Sequence, residues 1–227
     1  MTDSTQTGDY RLVVINGGTS DPSSTRMLAD RIADAVAKAA KTKDARVRIT
    51  TIDLRDLATE ITTGIVTGLQ GPGLEAASAA LGAADGIIAA SPVYKSETSG
   101  LFNSFMHVLD RDLLIGKPVV LAATAGTARH ALVVDGQMRS LFAYLRTLTT
   151  PTAIFASTED WNDSALSKRI ERAALELWLL MEMRFADRLR EASWSSYQHD
   201  FGSAGGTELG INLDSDLMRL ATGGSLK

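Results

Sequence analysis

The chain has 227 residues, 44% of them hydrophobic, which is enough to bury one full core, and it carries a net charge of -4 with a sequence pI near 5.4. Its charges are interspersed, so no basic stripe offers itself to nucleic acid. It has no cysteine, which removes disulfides, thiolate catalysis and iron–sulfur clusters together. The polar start M-T-D-S-T-Q-T-G-D-Y lacks a basic-then-apolar signal pattern, and no apolar run approaches the roughly 20 residues of a membrane span. The expectation is a cytoplasmic protein with neither nucleic acid nor membrane as partner.

Residues 1–10 read as a flexible arm, 11–192 as one domain, and 193–227 as a tail that is partly disordered or docks on something through Leu213, Leu217, Met218 and Leu220. Within the domain, Arg11 to Asn16 is a short β-branched strand stopped by Gly17-Gly18, and a helical face follows from Met27 to Ala40. Ala45 to Leu54 predicts a second strand, and Thr- and Gly-rich residues 55–72 a long connection. Leu74 to Leu81 is helical by spacing. Gly86 to Ala90 then reads as a strand buried on both faces that ends near Ser91, because Pro92 has no N–H to give a central ladder. A helix follows from Gly100 to Asp110, capped by Thr98 or Ser99. Lys117-Pro118 opens a fourth strand, V-V-L-A-A-T, Val133 to Leu148 is helical by pattern, Thr152 to Ser157 is a fifth strand, and Ser164 to Arg190 is one long helix with a wide apolar face. Five strands alternating with helices argue a parallel, doubly wound α/β sheet.

Ligands of such a sheet bind outside the carboxyl ends of its strands, so three loops carry the functional reading. Gly17 to Thr25 is rich in small residues and hydroxyls at a helix start, where unpaired N–H groups favour an anion. An ordinary turn capped by Ser23 or Ser24 accounts for it equally well, and it is neither G-x-G-x-x-G nor a P-loop. Pro92-Val93-Tyr94-Lys95 presents a backbone platform and a ring to an aromatic ligand, against the simpler reading of a surface turn. Ala125-Gly126-Thr127 brings backbone N–H groups to the same edge. His107, His130 and His199 show no metal-ligand spacing, no G-x-S-x-G elbow is present, and Glu97 with Asp110 lacks the setting of an acid–base pair.

With those residues in view, S-P-V-Y-K-S-E-T-S-G-L-F-N and T-A-G-T-A-R-H-A-L-V-V-D resemble the NADPH-dependent FMN reductase family of the flavodoxin-like fold. The similarity is greatest to flavin reductases serving two-component monooxygenases of the alkanesulfonate type, and it spans residues 11–190. It implies strand order 2-1-3-4-5 with helices on both faces, and FMN with its phosphate at Ser20, Ser23, Thr25 and Arg26. The isoalloxazine would lie against Pro92, Val93, Tyr94 and Lys95 and against Gly126 and Thr127, with Arg129 and Lys95 steering the phosphates of NADPH. NADH is an alternative donor. The chain departs from the family at Ser20, where many members carry Arg, and at Gly136, where close relatives carry an aromatic just after the matching Asp.

The resemblance further implies hydride transfer from the nicotinamide to flavin N5, with no catalytic side chain and no metal. It implies a homodimer or homotetramer that hands reduced FMN to a monooxygenase. Two readings stand beside it: a flavin-bound quinone, azo-dye or metal-ion reductase, and a flavodoxin-like electron carrier without nicotinamide turnover.

Overall fold

Strand residues in this protein sort by parity. In the computed structural model, which describes residues 9–197 with side chains placed through 192, β1 (Asp9–Asn16), β3 (Gly86–Tyr94) and β5 (Pro118–Thr124) form the buried centre of one sheet. Val13, Ile15, Ile87, Ala89, Val119 and Leu121 point to one face, and Leu12, Val14, Ile88, Ala90, Val120 and Ala122 to the other. The period of two along each strand therefore feeds two separate cores. Helix α1 (Ser24–Lys41) and helix α6 (Ser164–Glu182) close the second face with Leu28, Ile32, Val36, Ile170, Ala173, Leu177 and Trp178. The first face is covered by α2 (Ala58–Thr67), α3 (Pro72–Gly82), α4 (Gly100–Val108) and α5 (Arg139–Tyr144). This is the flavodoxin-like layering expected from the sequence.

With β2 (Arg46–Asp53) on one edge, the parallel order is β2-β1-β3-β5, and two short strands, β6 (Leu148–Thr149) and β7 (Ile154–Ala156), share the far side of β5. β6 pairs with Pro118 and Val119 and β7 with Ala122 to Thr124, so together they occupy the expected fifth position. The break between them holds Pro151, which has no N–H for the ladder.

Four sequence expectations are corrected. Residues 55–72 are not a bare connection: α2 forms there because Ile61 and Gly64 bury against α3 and α4, a tertiary gain that overrides weak Thr and Gly propensity. The central strand does not stop at Ser91. β1 ends at Asn16 opposite Ala90, so the β1 ladder does not reach Pro92 and does not call for the N–H it lacks, while β5 still pairs with it through Thr124. The strand runs on to Tyr94 and pairs antiparallel with β4 (Glu97–Thr98).

The expected helix from Val133 to Leu148 is a π-helical turn, Val134–Met138, leading into α5, which ends before Arg146 at a φ of 55°. The long helix Ser164 to Arg190 is broken into α6 and α7 (Phe185–Tyr197) by Arg184 at a φ of 47°. That break places the Arg184 guanidinium 4.8 Å from the centre of the Tyr10 ring and within 3.7 Å of Asp85. Two ends of the chain, the rest of the expected arm and the tail from Gln198 onward with His199, lie outside the described residues.

Candidate functional site

Three loops leave the carboxyl ends of β1, β3 and β5, and the structure ties each to another. The first begins when Asn16, buried at the end of β1, turns its side chain back. Its Oδ1 accepts from the Gly18 N–H at 3.1 Å, while its Nδ2 donates to Asp53 at 2.7 Å. Gly17 donates to the Ala90 carbonyl at 2.8 Å, which holds the loop against β3. A Cβ at Gly18 would collide with Ser23 Oγ, so only glycine leaves room for Ser23 to cap α1 by accepting from the Arg26 N–H at 3.2 Å. The first-turn N–H groups of Ser24 and Thr25 have no carbonyl within helical reach, and no acidic side chain sits in that turn.

The expected phosphate residues fall at this loop in different states. Ser20 is exposed, and Ser23 is the cap. Thr25 is buried, and its hydroxyl pairs with Thr124 Oγ1 at 2.7 Å, tying the start of α1 to the end of β5. Arg26 places its guanidinium between two carboxylates: Nε donates to Asp30 at 2.8 Å and Nη1 to Asp53 at 2.9 Å. The hydrogen bond to Asp30, with the charges of Asp30 and Asp53 adding against burial, raises the Arg26 pKa above its ordinary value. Its charge is thus matched inside the protein. Ser20, Asp21, Ser23, Arg26, Asp53 and Arg55 line a small cavity of about 170 Å³ under the loop.

At the second loop, Pro92 and Val93 are buried in β3, while Tyr94 is exposed. Lys95 and Ser96 form the two-residue turn into β4, both with positive φ, and non-glycine residues in that region cost roughly 1 kcal/mol or more each. Tyr94 Oη lies 3.3 Å from Thr19 Oγ1, so the platform touches the first loop. The third loop carries Gly126, Thr127 and Arg129, all exposed, with Thr127 Oγ1 accepting from the Arg129 N–H at 3.1 Å. A Cβ at Gly126 would meet open space beyond its two chain neighbours. The third loop meets the second through His130, whose Nδ1 is 3.3 Å from Ser96 Oγ, and through Gln137, which bonds both Ser96 and Thr98.

All three predicted loops therefore converge on one edge. What sequence reasoning missed are the residues that join them: Asn16, Thr19, Asp53, Thr124, His130 and Gln137. Asn16 and Asp53 each end a strand, and that was the one signal available. His107 lies elsewhere, in a groove of about 1010 Å³ between α2, α3 and α4 that shares no residue with the loops. Among the described residues no group of three or more His, Asp or Glu is placed to hold a metal, and no helix is long and apolar enough to cross a membrane.

The geometry fits a planar, phosphate-bearing ligand. A helix start with bare N–H groups and the Ser20 hydroxyl lie at one end, and an exposed ring and backbone edge at the other. Residues 10–162 match the family model described as NADPH-dependent FMN reductase. The FMN reductase (NADPH) of Pseudomonas aeruginosa is 32% identical over 171 residues, covering 75% of this chain and 89% of that one. The NADH-dependent FMN reductase SfnE of Pseudomonas putida is 33% identical over 168 residues, covering 72% and 88%. A solved oxidoreductase of Corynebacterium diphtheriae is 42% identical with a TM-score of 0.75, covering 77% of this chain and 97% of its own.

Proposed function

The chain belongs to the NADPH-dependent FMN reductase family, and from that premise we propose that it reduces FMN with NADPH or NADH and supplies the reduced flavin to a flavin-dependent monooxygenase. The observation that carries the reading is the junction of loops: Thr19 with Tyr94, and Thr25 with Thr124, bring the helix start and the aromatic platform to one edge. When bound, the flavin accepts at N5 the hydride carried by the nicotinamide C4.

The chain's own residues bind and orient. The N–H groups of Ser24 and Thr25 and the Ser20 hydroxyl take the phosphate, with Ser23 and Arg26 fixing the turn that presents them. Pro92, Val93 and Tyr94 support the ring, and Gly126 and Thr127 offer backbone donors where negative charge develops on it. Lys95 and Arg129, both exposed, steer the phosphates of the nicotinamide. The reading assigns no side-chain acid or base, since positioning two rings within reach is most of the task. It places the protein in the cytoplasm as a homodimer or homotetramer.

The test is NADPH and NADH oxidation by the purified protein with and without free FMN. Turnover that requires FMN and saturates in it supports the reading. A yellow protein that needs a quinone or dye instead makes the flavin a bound group, and no nicotinamide consumption under any condition leaves an electron carrier.

A further inference from the structure

We propose that Gln137 is the positioning residue that holds the Tyr94–Ser96 turn in its flavin-binding shape, a role that rests on the flavin reading above. The turn between β3 and β4 has two residues, Lys95 and Ser96, at φ values of 51° and 68°. Two consecutive positive φ values are what a tight two-residue hairpin needs, and Asn and Gly normally supply them. Here a Lys and a Ser adopt them, so contacts outside the turn must hold it.

Gln137 makes those contacts. Its Nε2 donates to the Ser96 carbonyl at 3.0 Å, and its Oε1 accepts from the Thr98 N–H at 3.4 Å. A primary amide offers donor and acceptor side by side, as a peptide edge does, so this one side chain pairs with the outer edge of β4 like a one-residue strand. Its seat is the π-helical turn Val134–Met138, fixed on the core by Val134 and Met138, each 1% exposed, with Gln137 between them on the outside. Such turns are rare and concentrate at functional sites. His130 adds a contact to the Ser96 hydroxyl.

The consequence falls on Tyr94. It is 51% exposed and its hydroxyl lies 3.3 Å from Thr19 Oγ1 on the first loop, so the turn that follows it helps set where its ring lies. Releasing Ser96 frees the platform without opening the core. Gln137 is exposed, so its loss removes no core packing.

The experiment titrates FMN into the full chain, reading quenching of flavin fluorescence together with KM and kcat. Gln137→Ala weakens FMN about tenfold, the scale of the two neutral hydrogen bonds that hold the turn, with a fall in melting temperature of no more than about 5 °C. Gln137→Glu keeps the acceptor for the Thr98 N–H but turns a second acceptor toward the Ser96 carbonyl, so it binds FMN no better than Gln137→Ala. Adding Ser96→Gly to Gln137→Ala restores affinity to within about threefold of wild type, because glycine takes a positive φ unaided. Wild-type affinity in Gln137→Ala overturns the proposal. So does a double variant that binds as poorly as the single, which would mean that Gln137 does not act through the turn. If the wild-type chain neither quenches nor turns over FMN, the flavin reading itself falls.

Discussion

The two edges of this sheet treat the same backbone chemistry in opposite ways. At the amino edge, polar groups are closed by neighbours. Lys117 is 1% exposed at the start of β5, and its Nζ donates to the Gly82 and Ala84 carbonyls at 2.8 Å each, capping the end of α3. Asp85 accepts from the Arg11 N–H and faces Arg184. At the carboxyl edge, side chains join loop to loop while the first turn of α1, Ser20, Tyr94 and Gly126 stay open. On the proposed reading, that difference separates the functional end from the structural end of a fold whose two ends are built from the same strands. The closed end supplies stability, and the open end keeps donors for a ligand.

The largest effect is expected at the closed end. Burial, with the charge of Arg190 adding, lowers the Lys117 pKa to about 8, while Asp187 and Asp85 oppose the shift. A neutral amine still has two N–H groups for its two carbonyls. Between about pH 8 and 10 the unfolded chain holds one more proton than the folded one, so stability rises with pH across that window, by of order 3 kcal/mol if fully realised. Lys117→Met leaves both carbonyls bare and destabilises by about 2 kcal/mol at pH 7 in urea unfolding. Because Met cannot titrate, the wild type's advantage widens from pH 7 to 10. A gap that narrows would show that Lys117 is not the group losing its proton. The KM for FMN stays within twofold.

At the open end the effects are smaller in stability and larger in binding. Gly18→Ala forces Ser23 off its cap, at about 1 kcal/mol of stability, and moves the helix start that is to meet the phosphate. FMN affinity falls by about tenfold or more, since charge-assisted contacts to an anion are worth more than neutral ones. An unchanged FMN titration would place the phosphate elsewhere. Thr25→Val strands the buried Thr124 hydroxyl, for about 1 kcal/mol, and the double variant with Thr124→Val recovers most of it. Failure to recover would mean that the two loops are joined by packing and not by this bond.

These pairs also mark what the sequence could and could not reveal. The central strands were legible because they are short apolar runs, and the caps at Ser23 and Ser99 because hydroxyls stand just ahead of helical spacing. The three loops followed from those strands. Their joints did not: Arg26 meets Asp53 across 27 residues and Thr25 meets Thr124 across 99, distances over which periodicity carries nothing. Pro92 misled because the rule against proline in a central strand assumes a neighbour on the affected side, and β1 has already ended there. The break at Arg184 was invisible because the apolar stripe runs through it. The break sets the Arg184 cation over Tyr10 and beside Asp85, partners far from it in sequence.

The smallest expected effect tests how open the carboxyl edge is to negative charge. Arg26 is held between Asp30 and Asp53, and Arg55 lies 3.8 Å from Asp56, so the cations near the first loop are already matched. Asp21 is exposed on that loop, and among the described residues no cation pairs with it. Its charge therefore opposes a phosphate arriving at the start of α1. An exposed like charge is worth roughly 0.5 kcal/mol, so Asp21→Asn tightens FMN about two- to threefold. The gain shrinks in 0.5 M salt, where screening shortens the reach of the charge. Riboflavin, which has no phosphate, serves as the internal control and binds both proteins alike. Equal gains for FMN and riboflavin would trace the change to loop shape. No gain for either would mean that the phosphate lies beyond the field of Asp21, which would move the anion site off this loop and leave the open edge to the platform alone.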